Sequence, residues 1–252
     1  MRITTLFFDL GSTLVYSKDP WPRYYEQADL ALAEVLSNSG FAIEPGLFQT
    51  ESGGFIRSYY DRPSMNNIEP TAFVILRDFL ARNNFGCIPE TILRAALQAM
   101  YSRTQQNWVL EEDAISTLET LKSRDYHMGL ISNTSDDSNV QGIVDRWNLR
   151  PFFETIVTSA ALGIRKPDER IFRVALDRLR ASPTAAAMIG DTLNADILGA
   201  NRSGVYSIWI TRRVYLPEEG ELAVQPQAVV KALHDLPSLL EEVEKDLNEG
   251  VA

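Results

Sequence analysis

Short apolar runs alternate with amphipathic segments along most of the chain. The runs lie at 3–8, 127–132, 155–158, 186–190 and 205–210. Runs of this length that lack polar alternation are typical of strands that helices cover on both faces. Between them, apolar residues recur at helical spacing over about 111–124, 137–147, 168–180 and 194–203. This alternation predicts an α/β fold with a doubly wound parallel sheet.

The stretch 20–108 departs from this alternation, because its apolar residues recur almost throughout at helical spacing. Three such sets begin at Tyr25, Phe73 and Ile92, and prolines punctuate the stretch between and around them. One strand, then roughly 90 helical residues, then the remaining strands is the order expected of an insertion. The pattern therefore predicts a helical domain inserted after the first strand.

The composition excludes several classes of protein. With 45% hydrophobic and 23% charged residues, the 252-residue chain has the balance of a folded globular protein. No apolar run approaches the roughly 20 residues of a membrane span, and the opening MRITTLFFDLG lacks the apolar stretch of a secretion signal. The single cysteine, Cys87, excludes an intrachain disulfide, and two histidines are too few for a multi-histidine metal centre. We therefore expect a reduced, cytoplasmic protein.

The formal net charge is −10, and residues 214–252 carry most of it, with nine acidic residues against two lysines. The remainder of the chain is close to balanced and shows no basic face of the kind that binds nucleic acid. We therefore expect neither a nucleic acid nor a membrane as partner. The acidic segment itself is predicted to be solvated surface.

Polar residues that can carry chemistry follow four of the predicted strands. They are Asp9, Ser132 with Asn133, Lys166, and Asp191 with Asp196. Ligands of an open parallel sheet bind at the carboxyl ends of its strands, so these side chains are expected to share one crevice. The set fits metal-assisted phosphoryl chemistry: Asp9 attacks phosphorus, Asp191 holds a hard cation, and Ser132 and Lys166 bind phosphate oxygens.

The arrangement resembles the haloacid dehalogenase superfamily of hydrolases. Four motifs appear in the family's order: DLGSTL at 9–14, ISN at 131–133, RKPDERIF at 165–172 and IGDTLNADILGA at 189–200. The resemblance implies a Rossmann-like core formed by 1–15 and 109–252. It also implies a helical cap at 16–108 that closes over the site and selects the substrate.

The resemblance also assigns roles within the site. It implies a phosphatase that acts on a small phosphorylated metabolite through an aspartyl-phosphate at Asp9. Ser132, Asn133 and Lys166 would bind the substrate, and Ser132 and Lys166 would share the catalytic role with Asp9. Mg²⁺ would be held by Asp9, Asp191 and the backbone carbonyl of Gly11. Asp196 is expected to orient Asp191 or Lys166.

One position departs from the family pattern. The family's phosphatases carry a second Asp two residues after the nucleophile, where it protonates the leaving group and then activates water; here that residue is Gly11. Loss of such a group typically costs about 10²–10⁴-fold in rate. Tyr16, Lys18 and Asp19 are the nearest candidates to replace it, and Gly11→Asp is expected to raise activity toward alkyl phosphates.

Two other functions remain open from the sequence. Dehalogenation through an aspartyl ester needs no proton donor, although the family's dehalogenases lack the Gly-Asp pair found here at 190–191. A protein that keeps the site only to bind a ligand is the second. His127 is expected to be structural, and Cys87 to be a core or surface thiol of the cap. Arg57 and Arg62 are expected to be surface residues of the cap, with contact to an anionic substrate as the alternative.

Overall fold

The computed structural model of the protein describes residues 2–48, 67–214 and 224–249, so Arg57 and Arg62 lie outside the described residues. Within these ranges the chain forms eight strands: β1 (Thr5–Phe8), β2 (Val15–Ser17), β3 (Trp108–Leu110), β4 (His127–Ser132), β5 (Thr155–Thr158), β6 (Ala186–Gly190), β7 (Tyr206–Ile210) and β8 (Ala228–Val230). Six of them form one parallel sheet in the order β5-β4-β1-β6-β7-β8. The predicted parallel α/β sheet is therefore confirmed.

Helices follow most of these strands. The described residues contain α1 (Pro22–Asn38), α2 (Ala72–Arg82), α3 (Glu90–Thr104), α4 (Ala114–Ser123), α5 (Asp137–Arg146), α6 (Ser159–Leu162), α7 (Glu169–Leu179), α8 (Leu198–Arg202) and α9 (Leu236–Glu249). A π-helical turn, Leu193–Ile197, leads directly into α8, so the helix predicted at 194–203 is present in two parts. In the described residues, no helix combines the length and the apolar character that crossing a bilayer requires.

Strand β1 lies at the centre of the sheet and alternates its side chains between two buried layers. Leu6 and Phe8 pack in one layer with residues of α4, α5 and α9, whereas Phe7 packs in the other with residues of α7 and α8. All four residues of β1 are buried. Burial on both faces is why this strand reads as an unbroken apolar run.

The helices between β2 and β3 pack around buried residues of their own. They include Leu32, Leu36, Leu76, Leu80 and Leu93. Strands β2 and β3 pair antiparallel, with Tyr16 opposite Val109. The chain thus leaves the sheet along β2 and returns to it along β3. These two strands form a small antiparallel ribbon, the β2-β3 ribbon, which was not predicted from the sequence.

The acidic segment 214–252 is not merely solvated surface, contrary to the sequence-based expectation. Its residues supply β8, the sixth strand of the sheet, and α9, which buries Leu236, Leu240 and Val243 against the sheet. A three-residue strand is too short to show a period, and the acidic residues of α9 hide its apolar stripe in the average composition.

Candidate active site

Three adjacent strands bring the predicted residues of the site together. Phe8 at the end of β1 pairs with Leu130 of β4 on one side and with Ile189 of β6 on the other. Asp9 therefore follows β1 between the ends of its two neighbours, where Ser132 closes β4 and Asp191 follows β6. All three residues line one pocket.

Lys166 joins these strands from the loop that precedes α7. Its Nζ lies 2.7 Å from Asp9 Oδ1, 2.6 Å from the carbonyl oxygen of Ile131 and 2.7 Å from Asp196 Oδ1. The residue is only 2% exposed. Burial alone would lower the pKa of Lys166, but the charges of Asp196 and Asp9 hold it above its ordinary value. The ammonium therefore stays charged and neutralises part of the acidic cluster.

Asn133 holds the backbone of Lys166 through a pair of hydrogen bonds. Its Nδ2 donates to the Lys166 carbonyl at 3.0 Å, and its Oδ1 accepts from the Lys166 N–H at 2.9 Å. The sequence analysis assigned Asn133 to substrate binding. In the structure its side chain lines the pocket but is engaged first in fixing the lysine.

Three carboxylates converge beside this lysine. Oxygen atoms of Asp9, Asp191 and Asp196 lie within 4.8 Å of one another. Burial, with the charge of Asp196, raises the pKa of Asp9 to about 6. Burial, with the charge of Asp9, raises the pKa of Asp191 to about 7. One ammonium against three carboxylates leaves an excess of negative charge on oxygen ligands, and this donor set fits a hard divalent cation such as Mg²⁺.

Asp196 is held mainly by the protein itself. Its Oδ2 accepts a hydrogen bond from the Thr192 N–H at 2.9 Å, and its Oδ1 pairs with Lys166. A Cβ atom at Gly190 would overlap with the Asp196 side chain, so only glycine allows the carboxylate to pack there. Asp196 thus orients Lys166, one of the two roles expected for it, while Asp9 and Asp191 are freer to bind a metal.

The pocket has a volume of about 500 Å³. Its lining includes the charged and polar residues already described, together with further polar ones: Arg165, Thr192, Tyr101, Thr104 and Asn139. It also includes an apolar set, called here the apolar side: Trp21, Tyr25, Trp108, Val140 and Ile143. None of these apolar residues was predicted to belong to the site, because they come from the inserted segment, β3 and α5 rather than from the strand ends.

Gly11 lies directly beneath one of these aromatic rings. A Cβ atom at Gly11 would come within 3.3 Å of Trp108 Cη2, closer than most real Cβ contacts. The indole therefore covers the position from which the family's second aspartate would extend. Gly11 itself lines the pocket, as its predicted role as a carbonyl ligand requires.

The residues proposed to replace the missing aspartate do not line the pocket. Asp19 is exposed and accepts a hydrogen bond from the Tyr24 hydroxyl at 3.0 Å. The guanidinium of Arg213 covers the ring of Tyr16 at 3.7 Å, and Lys18 is exposed. The structure thus brings Asp9, Gly11, Ser132, Asn133, Lys166 and Asp191 to one pocket and leaves the three substitutes outside it.

Comparison with known proteins agrees with this geometry. A family model described as haloacid dehalogenase-like hydrolase matches residues 3–204. A relative from Methanothermobacter thermautotrophicus, named glyceraldehyde 3-phosphate phosphatase, is 39% identical over 215 residues, which are 82% of this chain and 85% of the relative.

Two solved structures share the fold at lower identity. A phosphatase of the same superfamily from Thermococcus onnurineus has a TM-score of 0.66 at 19% identity, covering 95% of this chain and 98% of the other. A 2-haloacid dehalogenase from Pseudomonas syringae has a TM-score of 0.68 at 24% identity, covering 95% and 99%. Since one fold carries both activities, the fold does not distinguish them. The family match does settle the kinship: the chain belongs to the haloacid dehalogenase-like hydrolases.

Proposed function

We propose that the protein is a magnesium-dependent phosphatase that hydrolyses the phosphate ester of a small metabolite through an aspartyl-phosphate at Asp9. The observation that carries this proposal is the set of contacts around Asp9, which joins a carboxylate nucleophile to a buried ammonium and to a second carboxylate suited to a cation. The relative named glyceraldehyde 3-phosphate phosphatase supports the same class of reaction.

In the first step Asp9 attacks phosphorus, an Asp9 oxygen–phosphorus bond forms and the ester oxygen–phosphorus bond breaks. Lys166 and the Ser132 hydroxyl offset the charge on the phosphoryl oxygens. When bound by Asp9 and Asp191, with the Gly11 carbonyl, Mg²⁺ would supply further charge neutralisation. Asn133 keeps Lys166 in place throughout through its two backbone hydrogen bonds.

In the second step water attacks phosphorus, releases inorganic phosphate and restores the Asp9 carboxylate. In the described part of the chain, Gly11 supplies no acid or base, and Tyr16, Lys18 and Asp19 lie outside the pocket. Without a proton donor at residue 11, we infer that the leaving oxygen departs with its own negative charge. We infer that substrates whose leaving groups are weak bases react fastest in the first step, and that the aspartyl-phosphate then accumulates.

This inference predicts a steep dependence of rate on the basicity of the leaving group. Aryl and acyl phosphates should transfer their phosphoryl group to Asp9 much faster than glycerol phosphate or glyceraldehyde 3-phosphate. They should therefore give a burst of the leaving group, followed by a slow steady turnover set by hydrolysis of the aspartyl-phosphate. Rapid-quench measurement over a series of substituted phenyl phosphates checks this. A flat dependence without a burst would show that another group transfers the proton.

The domain boundaries enter the proposal as well. We infer that residues 16–108 form a cap that selects the substrate, because Trp21 and Tyr25 of this stretch line the pocket beside Asp9. The 1–15 and 109–252 segments then supply the catalytic groups. Which metabolite is taken depends on this apolar side of the pocket.

The direct test is release of inorganic phosphate from p-nitrophenyl phosphate and acetyl phosphate with and without Mg²⁺. We expect turnover that requires the metal and is lost in Asp9→Asn. Asp19→Asn, which alters an exposed carboxylate outside the pocket, should retain it. Metal-independent release of chloride from a 2-haloacid would replace the proposal with dehalogenation. Phosphate binding without turnover would replace it with a binding function.

A further inference from the structure

Three aromatic residues form a continuous wall on the apolar side of the pocket. Trp21 stacks on Tyr25 with ring centroids 5.4 Å apart and planes 11° from parallel. Trp108 meets Trp21 edge to face at 5.1 Å. All three residues line the pocket that contains Asp9, and none is fully buried. We call Trp21, Tyr25 and Trp108 the aromatic wall.

The fold places this wall at the point where the insertion joins the sheet. Trp108 is the first residue of β3, and Trp21 immediately precedes α1. Pairing of β3 with β2 carries Trp108 over Gly11, where a Cβ atom would be 3.3 Å from its ring. The aromatic wall therefore begins beside Gly11, which is two positions after Asp9 in the sequence, and it continues along the inserted segment.

We propose that the aromatic wall is the leaving-group subsite, and that it takes the flat aromatic ring of an aryl phosphate ester. This assignment rests on the proposed phosphatase function and names the substrate class for that site. In this binding mode the phosphoryl group lies among Asp9, Ser132 and Lys166, and the ring of the leaving group lies against Trp21 and Trp108.

Two observations support this class of substrate. The first is that Val15, Val140 and Ile143 line the same pocket as the three rings, so the pocket offers apolar surface to a leaving group, beside the polar Tyr101, Thr104 and Asn139. Aromatic rings of a ligand gain additional stability from offset or edge-to-face contact with such side chains.

The second observation is chemical. Gly11 has no side chain to donate a proton to the leaving oxygen, and the Trp108 ring lies 3.3 Å from where a Cβ atom at that residue would stand. A phenolate departs more readily than an alkoxide under these conditions, because the negative charge spreads into the ring. Recognition and reactivity thus select the same leaving group.

The proposal is tested first by binding, which does not depend on turnover. Phenylphosphonate and methylphosphonate present similar anionic head groups and differ in the ring. By isothermal titration calorimetry with Mg²⁺, we expect the wild-type protein to bind phenylphosphonate on the order of 10–100-fold more tightly. Trp21→Ala should remove most of this difference, and Trp21→Phe should restore part of it, because phenylalanine still stacks.

Phe73→Ala serves as the matched control, because it removes an aromatic ring from α2 that does not line the pocket. Circular dichroism of each variant confirms that it is folded. A wild-type protein that binds both phosphonates equally would overturn the proposal. A preference that survives in folded Trp21→Ala would overturn it as well.

Turnover separates this proposal from the function on which it rests. 2-Naphthyl phosphate and phenyl phosphate have leaving groups of similar basicity but different ring area, and acetyl phosphate has a good leaving group without a ring. We expect kcat/KM to favour the naphthyl ester over the phenyl ester, and we expect Trp21→Ala to lower that ratio whereas Phe73→Ala should retain it. Hydrolysis of all three without naphthyl preference overturns the subsite alone. Absence of all hydrolysis, with the phosphonate preference intact, overturns the phosphatase function alone.

Discussion

The effect of a substitution at Gly11 depends on Trp108, because the ring of Trp108 lies beside the position that a Cβ atom at Gly11 would take. Read from the sequence, Gly11 is a missing aspartate, and Gly11→Asp is expected to restore activity. Read from the structure, the space beside Gly11 is already covered by the Trp108 ring, 3.3 Å from where a Cβ would stand. A side chain at residue 11 therefore requires the indole to shift by a few tenths of an ångström.

We therefore revise the expectation for Gly11→Asp. The single variant should hydrolyse alkyl phosphates no faster than the wild-type protein, because its carboxylate competes with the ring for one space. Gly11→Asp combined with Trp108→Ala should be faster by at least about 10²-fold, the lower end of general acid–base catalysis. Steady-state kinetics on glycerol phosphate measures both, with Trp108→Ala alone as the control. A large gain from the single variant would show that the indole moves away freely.

The protonation of Asp191 gives a second prediction at this scale. Its pKa is raised from 3.8 to about 7 by burial and by the charge of Asp9. The folded, metal-free protein therefore binds this proton more tightly than the unfolded chain, and its stability falls as the pH rises from about 4 to about 7. In EDTA at pH 8, Asp191→Asn should unfold at higher urea concentration than the wild-type protein, by on the order of 1–3 kcal/mol.

The advantage of Asp191→Asn should shrink at pH 5 and reverse when Mg²⁺ stabilises only the wild-type protein. Asp177→Asn on the exposed face of α7 provides the comparison, and should show neither effect. If both variants respond alike to pH and metal, Asp191 does not hold the cation.

At the scale of secondary-structure elements, the β2-β3 ribbon is held in place by a cluster of charged residues from distant parts of the chain. Glu111, just after β3, is 2% exposed and accepts hydrogen bonds from Arg213 Nε at 2.7 Å and from Arg212 Nη1 at 3.0 Å. Arg212 also makes two bonds to Asp113, which accepts a further one from His234 Nδ1 at 2.8 Å. This cluster links the β2-β3 ribbon to the loop after β7.

Arg213→Ala is expected to destabilise the protein by about 1–3 kcal/mol, because it leaves part of the buried Glu111 carboxylate without its charged donor. The matched comparison is Arg170→Ala, which removes an equally short pair with Asp168 at 2.8 Å from an arginine that is 60% exposed. That variant should cost much less, because an exposed ion pair gains little over the same charges in water. Urea unfolding of both variants measures the difference, and equal losses would show that burial of Glu111 contributes nothing.

What the sequence predicts well at this scale is the set of long, doubly buried strands. The run from Thr5 to Phe8 and the run from His127 to Ser132 carry enough apolar residues to be recognised, and the rule for parallel sheets then places Asp9 and Ser132 together. Strands β2, β3 and β8 have three residues each, which is too few to show an alternation of apolar and polar positions. Trp108 of the aromatic wall belongs to β3 and is placed by the β2-β3 ribbon, so its position on the apolar side of the pocket was not predictable from the sequence.

At the scale of the whole molecule, the site exists only because distant segments meet. The Lys166 Nζ and Asp9 Oδ1 atoms that lie 2.7 Å apart belong to residues separated by 157 positions. The insertion is also attached to the core, since the Ser159 hydroxyl donates to Glu69 Oε2 at 2.8 Å and the Ala72 N–H donates to the Ser135 carbonyl. Motif order in the sequence predicted the first of these contacts, whereas nothing in the spacing of Glu69 indicated the second.

The position of β8 at the edge of the sheet decides which truncated forms of the protein keep the sheet covered. The family match ends at residue 204, yet β8 covers the outer edge of β7 and α9 covers one face of the sheet. A protein truncated after residue 214 would present the unpaired N–H and C=O groups of Tyr206–Ile210 to other chains, beside uncovered apolar surface. We expect light scattering to show that it self-associates, whereas removal of residues 250–252 alone should not have this effect. Monomeric, fully stable truncated protein would contradict this expectation. If the truncated protein does self-associate, the folding unit extends beyond the matched residues 3–204, and β8 with α9 forms the cover that keeps this sheet from templating its own aggregation.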